Sequence, residues 1–158
     1  MSAQVWIAIL VGLAAVIDDL KRRQIANWIP AAALAGGLGW QVASYGLVGW
    51  AYGLGGAAAG FCVFLVFYLL GGMGGGDVKL MAGFGALLGA GRLVEAALWT
   101  AGVGGLLALG ALGYRLLRAK LAGRLPVAVS PEQKVEQESI PYAPAIALGV
   151  WLSLVPKG

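Results

Sequence analysis

Val48-Gly-Trp-Ala-Tyr-Gly-Leu-Gly-Gly-Ala-Ala-Ala-Gly-Phe-Cys-Val-Phe-Leu-Val-Phe-Tyr-Leu-Leu70 carries no charged side chain, and the charge-free stretch around it extends from Ala26 to Gly76. Roughly 20 apolar residues, at about 1.5 Å rise each, cross about 30 Å of hydrocarbon as a helix. Further charge-free runs cover Met1 to Ile17, Leu80 to Gly91 and Ala96 to Tyr114. The chain is 60% hydrophobic and 11% charged over 158 residues, which leaves too little polar surface to cover a soluble globule. Lipid must cover much of it. Apolar runs between polar interruptions predict spans near Val5–Asp19, Trp28–Tyr45, Val48–Leu70, Val78–Gly91, Leu93–Leu117 and Pro141–Val155. The expected fold is therefore an all-α polytopic membrane bundle of about six transmembrane helices, forming one domain over residues 1–158. The fourth run is short enough to enter the membrane without fully crossing it.

The 27 glycines would weaken helices in water, but in lipid small residues let helix backbones approach. Gly56-Ala-Ala-Ala-Gly60 and Gly85-Ala-Leu-Leu-Gly89 have the spacing that such packing uses. Cys62 is the single cysteine, so neither an internal disulfide nor a thiolate metal cluster is expected, and the absence of histidine excludes imidazole chemistry. A net charge of +4 could suggest nucleic acid in a soluble protein. Here the basic residues flank apolar spans and lack a polar face to carry them, so they set topology and no nucleic-acid partner is expected. Met1-Ser-Ala-Gln4 is neutral and the positive charges follow the first run, the reverse of a signal peptide, so the first span is expected to be retained.

Alternating the six spans puts Lys21, Arg22, Arg23, Lys79, Arg115, Arg118, Lys120, Arg124 and Lys134 on one side and leaves Arg92 and Lys157 opposite. The positive-inside rule makes the first side cytosolic and both termini non-cytosolic. Ala119 to Ser139, with Pro126 and Pro131 and a run of polar residues, has the composition of a solvated linker.

Acids are few. Asp18 and Asp19 close the first span before Lys21-Arg-Arg23, and Asp77 follows Gly71-Gly-Met-Gly-Gly-Gly76 before the fourth, all at the same predicted boundary. Carboxylates brought together there repel as anions, so one is expected to hold its proton and the pair to titrate as a unit. That is the arrangement for peptide hydrolysis, in which the ionised partner takes a proton from water and the protonated one polarises the carbonyl. Residues without Cβ can adopt backbone angles closed to others and let a peptide approach the main chain, so a water-filled notch is expected beside Asp77. Simpler roles compete: Asp77 could cap the fourth helix, Asp18 and Asp19 could pair with Lys21 to Arg23, Glu95 beside Arg92 could anchor a span, and Lys79 could snorkel or pair with Asp77.

Gly72-Met-Gly-Gly-Gly-Asp-Val-Lys-Leu-Met-Ala82 contains Gly74-Gly-Gly-Asp77, which resembles the GxGD signature of type IV prepilin peptidases. Asp19-Leu-Lys-Arg-Arg-Gln-Ile-Ala-Asn27 resembles their first-aspartate motif, D-x-x-x-R-x-I-P-N, and Ile140-Pro-Tyr-Ala-Pro-Ala-Ile-Ala-Leu-Gly149 is similar to the last span of the short forms found with Tad/Flp pilus systems. The resemblance implies an intramembrane aspartyl endopeptidase of the inner membrane that removes the basic leader of a prepilin or pseudopilin at the cytosolic face. It assigns catalysis to Asp19 and Asp77, with Gly74, Gly75 and Gly76 positioning substrate and no metal or organic cofactor. Asp19 fits the motif where Asp18 does not, because it keeps the spacing to Arg23, Ile25 and Asn27. Two departures matter. Ala26 stands where proline is usual, and the paired CxxC motifs of the larger, methylating members are missing, so methyltransferase activity is not expected. The rival from another class is a small ion-coupled transporter using the same acids, which would place them near the midplane between paired broken helices.

Overall fold

The computed structural model describes residues 2–121 and 142–155, and within them the chain forms helices and no strand. The helices are α1 (Ala3–Arg22), α2 (Trp28–Tyr45), α3 (Val48–Leu69), α4 (Gly75–Leu121) and α5 (Ala143–Ser153). α4 packs on α3, α2 and α5, while α1 packs on α5 and α2. By length and composition α1, α3 and the stretch Gly75–Arg118 are long and apolar enough to cross a membrane, and α5 is a shorter apolar helix. Outward-facing positions are apolar too, as at Leu10, Ile17, Val66, Phe67, Leu106 and Leu109, all at least 46% exposed. A surface of that kind needs lipid against it, and the chain is an all-α membrane helix bundle. Apart from residues 119–121, which extend α4, the linker expected at Ala119–Ser139 lies outside the described residues.

All six expected runs are helical, but the fourth and fifth are joined in α4, and the break falls at Gly89 rather than at Arg92. Gly89 has φ 71° and ψ 166°, a conformation essentially confined to glycine. It divides α4 into a buried arm, 75–88, and a second arm, 90–121. The first arm is short for a physical reason. Val78, Leu80, Met81, Phe84, Leu87 and Leu88 are all buried, so protein rather than lipid surrounds it and the hydrocarbon thickness does not set its length.

Close approach between α3 and this arm depends on glycine. A Cβ on Gly56 would strike the Gly85 carbonyl, one on Gly85 would strike the Gly56 carbonyl, and one on Gly60 would come within 2.5 Å of the Met81 carbonyl. The small-residue spacing at 56 and 60 is thus a packing device, as its sequence suggests. Gly89 instead serves the break. A break strands the last carbonyls of the preceding helix, and the Leu87 carbonyl accepts side-chain N–H bonds from Gln4 of α1 at 2.8 Å and Gln41 of α2 at 3.3 Å. Gly89→Ala, which would also bring a Cβ to 3.2 Å from Gln41 Nε2, is expected to destabilise the bundle by about 1–3 kcal/mol. Thermal unfolding in detergent measures this, and an unchanged midpoint would mean that the break tolerates a side chain.

Candidate active site

The C-terminal end of α1, the start of α4 and the start of α5 meet at one end of the bundle. α1 ends because Arg23 adopts the left-handed conformation, φ 52° and ψ 30°, and returns its N–H to the Asp19 carbonyl at 2.7 Å. The loop then runs through Gln24 and Ile25 to Asn27, where α2 begins. Asp18, on the partly exposed side of α1, bonds to the Ala26 N–H through Oδ2 at 2.8 Å and pairs with Arg22 through Oδ1 at 3.3 Å. The pairing considered for both neighbours is therefore made by Asp18.

Asp19 points the other way and is 7% exposed. Its Oδ2 accepts the N–H of Ala143, the first residue of α5, at 3.1 Å. A carboxylate at the end of its own helix opposes that helix's dipole, but this one faces the positive end of another helix, which offsets part of the cost of burying it. Nothing near Asp19 in sequence announces this partner, 124 residues away. The available signal was Pro144, in the first turn of a helix whose leading N–H groups need acceptors.

Asp77 is also 7% exposed. Gly71, at φ 73°, turns the chain out of α3, and α4 starts at Gly75, so Asp77 is its third residue. The Asp77 N–H donates to the Gly74 carbonyl and the Gly74 N–H returns a bond to Asp77 Oδ2, each at 3.1 Å. This reciprocal cap satisfies two backbone groups at the helix start. The capping role weighed for Asp77 is real, and it occupies one oxygen. Asp19 and Asp77 lie close enough for the charge of one to act on the other.

A notch of ≈ 250 Å³ opens beside Asp77, lined by Arg23, Gln24, Ile25, Asn27, Gly74, Gly75, Gly76, Asp77 and Lys79. Asp19 is not among the residues that line it. Gly74 and Gly75 are exposed. Gly76 packs on the loop, where a Cβ would sit 3.1 Å from Ile25 Cβ. Lys79 bridges to the loop by donating to Asn27 Oδ1 at 2.9 Å, in place of the pairing with Asp77 considered from the sequence. A larger cavity among the described residues, ≈ 840 Å³, is at the opposite end among Ser2, Arg92, Glu95, Trp151 and Val155 and is lined by none of these aspartates. Among the described residues no three His, Cys, Asp or Glu side chains gather in a metal-binding group.

Two buried aspartates from different helices thus lie at one end of an all-helical membrane bundle, Asp77 beside a glycine-lined notch. Residues 6–109 match the type IV leader peptidase family, and the chain belongs to that family. It is 37% identical over 102 residues to the prepilin leader peptidase/N-methyltransferase of Bacillus subtilis (strain 168). The match covers 63% of this chain and 34% of that relative, so the chain spans about a third of the curated relative's length. No solved structure matches.

Proposed function

We propose that this protein is an aspartic endopeptidase that removes the basic leader from prepilins or pseudopilins of the type IV or Flp kind, at the cytosolic face of the inner membrane. The observation that carries the reading is the pair of buried carboxylates, each held through Oδ2 by a backbone N–H and each close to the other's charge. Fixing one oxygen of each leaves Oδ1 for water and substrate. Of the pair, the ionised member takes a proton from water, the water oxygen attacks the scissile carbonyl, and the protonated member supports the oxygen that becomes negative. The same pair then returns a proton to the leaving amine. Gly74 and Gly75 expose main chain to an extended peptide, while Gly76 keeps the loop close enough to form the opposite wall. Lys and Arg on the rim oppose a basic leader, so the local negative charge of the dyad must attract it.

The positive-inside count supports a cytosolic site and non-cytosolic termini. Acids at helix ends, rather than at the midplane between paired broken helices, favour the peptidase over the ion-coupled transporter. Methyl transfer is not part of the proposal. The test is co-expression with a candidate prepilin, following leader removal for Asp18→Asn, Asp19→Asn and Asp77→Asn. Processing should survive the first and fail in the other two, and full processing by either of those would overturn the dyad. Asn27→Ala, which removes the acceptor for Lys79, is expected to slow processing roughly twofold to tenfold with no change in thermal midpoint. An unchanged rate would make the bridge ornamental to the notch.

A further inference from the structure

The acid next to the dyad has its own place in the geometry. Asp18 Oδ2 holds the Ala26 N–H at 2.8 Å, and Asp18 Oδ1 meets Arg22 at 3.3 Å. Ala26 lies inside the short loop whose residues Arg23, Gln24, Ile25 and Asn27 line the notch. On one side of Ala26, Ile25 packs against Gly76. On the other, Asn27 accepts the Lys79 bond. Fixing Ala26 therefore steadies two contacts through which the loop reaches the start of α4, the segment that carries Asp77.

The identity of residue 26 bears directly on this bond. A proline there has no N–H to donate, and its ring restrains the backbone covalently near φ −65°. Alanine gives up that restraint and gains a donor. A proline at this position would hold the loop by its ring, whereas this chain holds it by a charge-assisted hydrogen bond to the residue next to the dyad aspartate.

We infer that Asp18 is a positioning residue for the proposed cleavage, which fixes the notch-lining loop through the Ala26 N–H and so replaces the proline restraint that Ala26 lacks. This rests on the peptidase reading. Asp18 is bonded to the loop and to Arg22, and its charge also acts on neighbouring Asp19. The neutral Asp18→Asn variant, which keeps an acceptor for the loop, therefore separates loss of charge from loss of the loop bond.

The experiment measures leader removal with purified full-length protein in detergent for Asp18→Ala, Asp18→Asn, Ala26→Pro and the double variant Asp18→Ala/Ala26→Pro, with Asp19→Asn alongside and thermal midpoints recorded for each. Asp18→Ala is expected to lower kcat/KM about tenfold, mostly through KM, because a charge-assisted bond is lost while the dyad remains. Asp18→Asn keeps an acceptor oxygen and should stay within about threefold of the parent. On the Ala26→Pro background the same Asp18→Ala change should cost little, so the double variant recovers the activity that the single one loses. The inference is overturned by an Asp18→Ala enzyme as active as the parent, by an Asp18→Asn enzyme as inactive as Asp19→Asn, or by a double variant no better than Asp18→Ala. If Asp18→Ala does not fold, the Ala26→Pro background decides: near-parental activity of the double variant supports the inference, and equal failure there overturns it. Full activity of Asp19→Asn would instead remove the peptidase reading itself, whatever Asp18 does.

Discussion

Replacing Asp77 by asparagine is expected to slow leader removal by about 10²–10⁴-fold, the range that a positioned acid or base contributes. The substitution isolates chemistry from architecture. Asp77→Asn keeps a carbonyl oxygen where Asp77 Oδ2 accepts the Gly74 N–H at 3.1 Å, so the first turn of α4 stays capped. What disappears is the capacity to gain and lose a proton. The same logic holds for Asp19→Asn, whose amide oxygen can still receive the Ala143 N–H that starts α5. Both variants should therefore unfold at the parental temperature while losing activity. Asp77→Ala differs, because it also removes the cap and should cost about 1 kcal/mol in stability. The proposed mechanism makes the two aspartates act as a unit, so combining Asp19→Asn with Asp77→Asn should lower activity little beyond either single change. A double variant showing the product of the two losses would mean that they contribute independently.

The second large effect is structural. Gly85→Val should destabilise the bundle by about 1–3 kcal/mol or prevent assembly, since a side chain there must push α4 away from α3. A Cβ on Gly85 already strikes the Gly56 carbonyl, which belongs to helix backbone and cannot rotate aside. The arm from 75 to 88 carries Asp77 at one end, so displacing it should reduce processing as well as stability. Gly102→Ala is the control, because a Cβ there meets nothing within 4 Å. That change should be neutral or should stabilise the helix by about 0.5–1 kcal/mol. Equal effects at 85 and 102 would show that helix propensity, not interhelical approach, governs the glycines of α4.

Much of the architecture is legible in one sequence because lipid imposes few solutions. Charge-free runs at Val48–Leu70 and Trp28–Tyr45 became α3 and α2 within a residue of their expected limits. The join of the fourth and fifth runs was not legible. Arg92 looked like the boundary because it is charged, whereas the chain breaks three residues earlier at Gly89, where Gln4 and Gln41 from other helices bond to the Leu87 carbonyl. Glycines spaced for packing and a glycine spaced for a break look alike in sequence, and only the neighbours distinguish Gly85 from Gly89.

The carboxylates divide in the same manner. By itself the sequence determined that the chain is a membrane helix bundle with six apolar runs, all of them helical in the structure, and it singled out Asp18, Asp19 and Asp77, because charge at membrane depth is costly and so conspicuous. Only the tertiary structure decided what each acid holds. Asp18 turns to its own loop, Asp77 caps its own helix, and Asp19 meets the start of α5 from across the chain. Periodicity and charge are local and can be read along a strand of letters. A hydrogen bond between residues 19 and 143 depends on how helices cross, and that is fixed by packing contacts distributed over the whole bundle.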